Sequence, residues 1–450
     1  MSMAWNPSGE PGKALCPYPL LWEWSLRIAI VAGLALVTVA TVGGQVFQPL
    51  WHAAQADQWS HFIVRPSIFW ALMGLVLLAF RTLLWFRYHG FMPADVASAP
   101  SLTVIIPAYN EGAMVQNAID SVASADYDQD RLEIFVVDDG SRDDTWSHIQ
   151  AAAKRHPGLV TTLRFERNRG KRAALEAGFR RARGEVVVTI DSDSVIDRGT
   201  LLAIAGPFRD PRVGAVAGRV SVFNCTQGVI PRMLQVRYTL SFDFLRAAQS
   251  GYGTVYCCPG ALAAYRVSVV LEVLDAWMGQ RFWGRACTYG EDRSMTNYIL
   301  ARGFDTVYQR SAVVHTVVPI TYARLCKMYL RWDRSYVREE LRFFRIVWRR
   351  PPLKRWIALF DITVTNLRFP VGYASLVLLV WLSIHQPATI VRLLFAIGLM
   401  AFFNMLYYLR SERSWDFVFG IFYAYYSLFA LCWVFPYAVL TLRSPAWMTR

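Results

Sequence analysis

Four short polar clusters carry the chemistry that this sequence could perform. Asp191-Ser192-Asp193 sets two carboxylates two residues apart, and an extended segment points such side chains the same way. A pair of hard oxygen ligands suits Mg²⁺ or Mn²⁺, which completes its shell with substrate phosphates. The ion absorbs the charge that develops on a leaving nucleotide diphosphate. Asp138-Asp139-Gly140-Ser141 and Pro107-Ala108-Tyr109-Asn110-Glu111 are two further clusters. Asn168-Arg169-Gly170-Lys171 adds a cation at the start of a helix, where phosphate is also favoured. Asp-x-Asp alone is common in surface loops, and Asp, Asn and Gly favour turns. Position therefore decides.

Each acidic cluster follows a short apolar run: Leu102 to Ile106, Glu133 to Val137, and Glu185 to Ile190. A further strand is expected near 161–165, with helices over 112–124, after Asp143-Asp144, and from about Lys171. This βαβα order predicts an α/β, Rossmann-like domain with a mainly parallel sheet covered by helices. Ligands bind beyond the carboxyl ends of the strands in such sheets. All three clusters fall there, which makes a ligand site the better reading.

The rest of the chain is apolar. Of 450 residues, 54% are hydrophobic, gathered before about residue 90 and after about residue 356. Ile28 to Val42, behind Trp22 and Trp24, and Ser67 to Phe86 predict two membrane helices, with Arg81 reaching toward water. Three blocks follow at 356–384, 389–409 and 415–442. The loop between the first two helices holds only Arg65 and the 385–391 turn holds no Lys or Arg, so both should face outward, and the basic central domain should face the cytosol. The expected organisation is a two-helix membrane region (1–95), a cytosolic domain (100–325), amphipathic interfacial helices (326–355) and a membrane region with a cytosolic tail (356–450).

Net charge is +14, and Arg342, Arg345, Arg349, Arg350, Lys354 and Arg355 read as a polybasic collar on anionic lipid. No nucleic-acid-binding signature accompanies them, so nucleic acid is not an expected partner. Seven cysteines without a CxxC pair point to reduced thiols.

In order, these segments together with Gly290-Glu291-Asp292 resemble the GT-A domain of family 2 glycosyltransferases. The resemblance implies sugar transfer from a UDP-sugar in the cytosol of a plasma-membrane protein. Pro107, Tyr109, Glu111, Asp138 and Asp139 would then border the nucleotide, and Lys171 would approach it. Asp193 would be the principal metal ligand, with Asp191 beside it near the sugar or ribose. Asp292 would be the catalytic base, because inverting transfer needs one carboxylate to take the acceptor's proton during in-line attack.

The stretch from Cys257 to Glu340 is similar to hyaluronan synthases and rhizobial chitin-oligosaccharide synthases. The resemblance implies that Cys258, Gly260, Arg266 and Glu291 line the acceptor side. Arg331 would pair with diphosphate, and Trp332 would stack on an acceptor sugar, as an aromatic face suits the apolar face of a pyranose. Met328 departs from the family's Gln-x-x-Arg-Trp signature. Trp447-Met448-Thr449-Arg450 resembles the terminal Trp-Gly-Thr-Arg of hyaluronan synthases, so Arg450 would return to the nucleotide. That return requires two spans after the cytosolic domain, with the 415–442 block bent or interfacial around Pro436. The implied partners are UDP-sugars, a growing glycan and the bilayer, and a monomer suffices. The resemblance favours processive synthesis from UDP-N-acetylglucosamine alternating with UDP-glucuronate, giving hyaluronan exported through the protein's own helices. A chitin-type polymer, or transfer of one sugar to a lipid phosphate, is the alternative.

Overall fold

In β1 (Leu102–Ala108) and β4 (Val186–Thr189), side chains on both faces are buried and, Thr103 and Thr189 apart, apolar. Val104, Ile106, Val186 and Val188 join one hydrophobic cluster, and Ile105 and Val187 join the other. Strands buried on both faces lose the apolar–polar alternation and read as continuous apolar runs. The computed structural model that reveals this describes residues 20–42, 61–385, 387–412 and 414–444.

The other strands are β2 (Leu132–Asp138), β3 (Val160–Arg164), β5 (Ser194–Ile196), β6 (Val213–Val222), β7 (Ala263–Arg266), β8 (Arg281–Phe282), β9 (Arg285–Ala286) and β10 (Asp305–Thr316). Of these ten strands, eight form one sheet in the order β3-β2-β1-β4-β7-β6-β10-β5, and β8 and β9 form a separate hairpin. The β1–β2, β1–β4, β2–β3 and β6–β10 pairings are parallel. The β4–β7, β6–β7 and β5–β10 pairings are antiparallel. The register sets Ala108 opposite Asp138 and Ile105 opposite Thr189, so β1, β2 and β4 end along one edge.

Outside this domain, three stretches among the described residues are long and apolar enough to cross a membrane: Arg65–Arg87, Pro352–His385 and Leu393–Ser411. The first expected membrane helix, Leu20–Val42, has a shorter apolar stretch, Trp24–Val39. The last apolar block is broken, as Phe417–Phe429 and Val434–Leu440 meet at 48°. Its break lies at 430–433 rather than at Pro436, which occupies the first turn of the second helix, where a missing N–H costs nothing.

Two expectations about charge are corrected. Arg81 does not reach for water: it pairs with Asp361 at 2.6 Å and donates to Thr365 Oγ1 at 2.7 Å. A charge among apolar helices is cheaper paired with another helix than stretched to the surface. The polybasic run is likewise split. Arg345 and Arg349 are exposed, but Arg350 is buried and donates to Phe304 O at 2.6 Å, Gly253 O at 2.9 Å and Asp305 Oδ1 at 2.7 Å. Lys354 joins it on Asp305 at 2.5 Å. These two cations tie the start of the Pro352–His385 helix to the first residue of β10.

Candidate active site

The turn after β2 faces the turn after β1. Asn110, whose φ of 54° is left-handed, donates its N–H to Ser141 Oγ at 3.0 Å and accepts from Arg142 N at 2.9 Å. The N–H groups of Glu111 and Gly112 both donate to Thr145 Oγ1, at 2.9 and 2.8 Å. Asp138 is fully buried, accepts from Ser141 N at 3.0 Å and pairs with Arg164 at 3.1 Å. Its carboxylate closes the turn and has no surface to offer a nucleotide, which corrects its expected role. Asp139 accepts from Arg169 N at 2.6 Å and Gly170 N at 2.8 Å. Burial raises its carboxyl above the usual range, opposed by those two N–H groups. Asp139 thus secures the loop that delivers Lys171.

Lys171 opens the helix Lys171–Phe179 and bridges two segments far apart in sequence. Its ammonium pairs with Asp191, just past β4, and lies 3.1 Å from Glu291 Oε1. Burial alone would lower the lysine, but Asp191 and Glu291 outweigh it and hold its proton firmly. Pro107, Lys171, Asp191, Gly260, Glu291 and Asp292 line one small pocket. A Cβ at Gly260 would stand 2.9 Å from Lys171 Nζ, so any side chain there would push the ammonium aside.

Glu291 and Asp292 begin the helix Glu291–Ala301, entered through Gly290 at φ 75°. That left-handed backbone suits glycine, and a Cβ would also collide with Ser335. Burial pushes both carboxyls up. For Glu291 the charge of Lys171, its helix N–H and Arg331 prevail, and its carboxyl ends below the usual range. For Asp292 the negative charge of Glu291 adds to burial, and its carboxyl stays above the usual range. Two adjacent carboxyls with pKa values driven apart are a recognisable acid–base arrangement. Asp292 Oδ1 accepts from Arg293 N at 2.7 Å, and Oδ2 faces Gly260 N at 3.4 Å and Cys257 Sγ at 3.5 Å.

The long helix Tyr322–Ile346 braces this corner. Glu339 accepts from Gln280 at 2.7 Å and Asn297 at 3.1 Å, and Glu340 pairs with Arg293 at 2.7 Å. On the same helix Trp332 is 38% exposed, between the rings of Tyr329 at 5.7 Å and Tyr238 at 6.2 Å. Tyr238 donates its hydroxyl to Met328 Sδ at 3.9 Å, so the sulfur supplies a weak acceptor where the family signature has an amide. Arg331, next to Trp332, acts electrostatically on both Tyr238 and Glu291.

Two expected acceptor residues are not delivered. Arg266 sits opposite Val186, at the other end of β4 from Asp191. It donates to the carbonyls of Phe208 at 3.1 Å and of Val213 and Asp210 at 3.3 Å, and so fastens a loop. Cys258 is wholly buried, its N–H on Thr296 Oγ1 at 3.0 Å. Burial pushes its thiol up to about 12. Cys257 is the residue that sequence reasoning missed, since adjacency to another cysteine says nothing about which thiol turns to Asp292. Arg450 and its Trp447–Arg450 motif lie outside the described residues. The chain leading to them does reach this corner: Arg285 Nη1 donates to Arg443 O at 3.0 Å and Tyr289 Oη to Ser444 O at 3.1 Å.

Among the described residues, no group of three or more His, Cys, Asp or Glu side chains could hold a metal unaided. Asp191 and Asp193 still fit a hard divalent ion whose shell is completed by substrate oxygens. Asp193 Oδ1 is steadied by Ser194 Oγ at 3.2 Å and Thr316 Oγ1 at 3.3 Å.

Residues 103–274 match the model of glycosyl transferase family 2. An N-acetylglucosaminyltransferase of Rhizobium sp. (strain N33) is 33% identical over 361 residues, covering 78% of this chain and 77% of that protein. The chain belongs to glycosyltransferase family 2. A second relative, an N-acetylglucosaminyltransferase of Azorhizobium caulinodans, is 31% identical over 356 residues, covering 78% of the glycosyltransferase and 87% of its own length. A mannosyltransferase of Pyrobaculum calidifontis, solved with GDP-Man and Mn²⁺, aligns with TM-score 0.56 at 22% identity over 81% of this chain and 99% of that one. The fold of the glycosyltransferase is GT-A, flanked by helices able to cross a membrane.

Proposed function

We propose that the enzyme transfers N-acetylglucosamine from UDP-N-acetylglucosamine to a growing oligosaccharide, with inversion, from the cytosolic face of a membrane. The observation that carries the chemistry is the corner shared by Lys171, Asp191 and Asp292. One side of it is cationic and acidic, fit for a nucleotide diphosphate with its ion. The other side offers a carboxylate with a raised pKa, fit to receive a proton. The N-acetylglucosaminyltransferase activity for which the two relatives are named supports the choice of sugar.

Asp193 and Asp191 would hold Mg²⁺ or Mn²⁺, which when bound neutralises charge on the departing diphosphate. Lys171 orients the donor beside Asp191, and Arg331 adds positive charge from the acceptor side. Tyr109 and Glu111, on the turn beside Asp139, border the uridine. Trp332 carries the acceptor sugar on its exposed face. Asp292 takes the proton of the attacking hydroxyl, and no second acid is needed because the diphosphate leaves as an anion. By the resemblance of its terminal motif, Arg450 would contact the nucleotide. Removing residues 447–450 should therefore weaken UDP binding, and unchanged affinity and turnover would reject that role.

Processive export is part of the proposal. Its support is an open groove of about 420 Å³ between helices able to cross a membrane, lined by Arg368, Phe369, Tyr373, Ser427 and Cys432 among others. A second reading, hyaluronan-type synthesis with UDP-glucuronate, is favoured by the basic side chain of Arg368 in the wall of that groove. Purified enzyme with Mn²⁺ should be given each UDP-sugar alone and then both. Product from UDP-N-acetylglucosamine alone supports the first reading, and a strict need for both sugars replaces it with the second.

A further inference from the structure

The turn at 257–260 is stitched to the helix that carries Asp292. Cys258 N donates to Thr296 Oγ1 at 3.0 Å, Gly260 N faces Asp292 Oδ2 at 3.4 Å, and Cys257 Sγ lies 3.5 Å from that same oxygen. Thr296 Oγ1 in turn donates to Asp292 O at 2.8 Å. Cys257 is held from behind, as Arg246 Nε donates to its carbonyl at 2.9 Å and the guanidinium rests 3.9 Å over the ring of Phe242. Burial first, and the charge of Asp292 next, push the Cys257 thiol well above its ordinary range. A thiol that keeps its proton beside a carboxylate can only donate.

We propose that Cys257 is a positioning residue for Asp292: its S–H donates to Oδ2 and fixes the carboxylate in the rotamer that meets the acceptor hydroxyl. The inference rests on Asp292 as the base. A donor to the charged form also favours ionisation. Glu291 and Arg293 act on Asp292 from its own helix and Lys171 from the donor side, while Arg293, Arg246 and Cys258 act on Cys257. These charges are the same in wild type and in the variants below, so the contribution of the thiol reads as a difference.

The test uses full-length enzyme in lipid nanodiscs with Mn²⁺, UDP-N-acetylglucosamine and an N-acetylglucosamine oligomer. Cys257→Ala should lower kcat about tenfold with KM for the donor within about twofold, and should move the acid limb of kcat/KM up by about half a pH unit or more. Cys257→Ser restores a donor and should recover most of kcat and return the acid limb. An alanine variant with unchanged kcat and acid limb overturns the proposal. So does a serine variant as impaired as the alanine, which would assign the cysteine to packing. Asp292→Asn separates the two levels: retained transfer there removes the base itself, whereas a dead Asp292→Asn beside a normal Cys257→Ala removes only the thiol.

Discussion

Lys171 Nζ lies 3.1 Å from Glu291 Oε1 while also pairing with Asp191, so one ammonium joins the end of β4 to the helix that begins at Glu291. All three side chains are largely withdrawn from solvent, and breaking such a cluster leaves a carboxylate without its counter-charge. Lys171→Met should cut kcat/KM about 100-fold or more by removing a preorganised cation from the leaving-group side. Steady-state kinetics with titrated UDP would check this. Lys171→Arg keeps the charge but not the point geometry, and should recover only part of the loss.

The pH dependence follows from Asp292. Its carboxyl is raised by burial and by Glu291, and the proposed base works only when ionised. Activity should therefore fall as pH drops through a pKa above that of an ordinary aspartate. Stability has the opposite sign. A carboxyl whose folded pKa exceeds its unfolded one stabilises most at low pH, and that contribution is lost as pH rises through the folded pKa. At neutral pH Asp292 thus opposes folding. Asp292→Asn should bind UDP, make no product and melt slightly higher than wild type at pH 7.5. A lower melting temperature would contradict the burial argument.

Strand-end clusters were legible because apolar runs announce strands and the turn after each parallel strand points to one edge. The same logic could not separate Asp138 from Asp139. Neighbouring residues in extended chain point to opposite sides, and here Asp138 is the one that faces inward, paired with Arg164. Arg266 was misread for a different reason. The β7 strand runs antiparallel to β4, which carries a residue just six positions past Gly260 to the far end of the sheet. Long-range pairing of that kind leaves no local signature.

Arg266 offers a direct check on that correction. It donates to three carbonyls of one loop, so Arg266→Met should lower stability by about 1–3 kcal/mol. KM for donor and acceptor should stay at wild-type values in the folded fraction. A selective rise in acceptor KM would restore Arg266 to the acceptor side.

The split of the basic run gives the last prediction. Arg350 is 1% exposed and satisfies the carbonyls of Gly253 and Phe304 together with Asp305. Removing it leaves Asp305 facing Lys354 alone and orphans buried carbonyls where the Pro352–His385 helix leaves the sheet domain. Arg350→Ala should cost about 3–5 kcal/mol, the scale for breaking a buried ion pair, and appear as a lower melting temperature in detergent. Arg345 and Arg349 face outward, and their alanine variants should leave stability within about 0.5 kcal/mol. Each should instead weaken binding to vesicles rich in anionic lipid by about 1 kcal/mol, an effect that salt removes. Equal loss of stability in all three variants would mean that the run acts as one structural unit, not as a buried anchor beside an exposed collar.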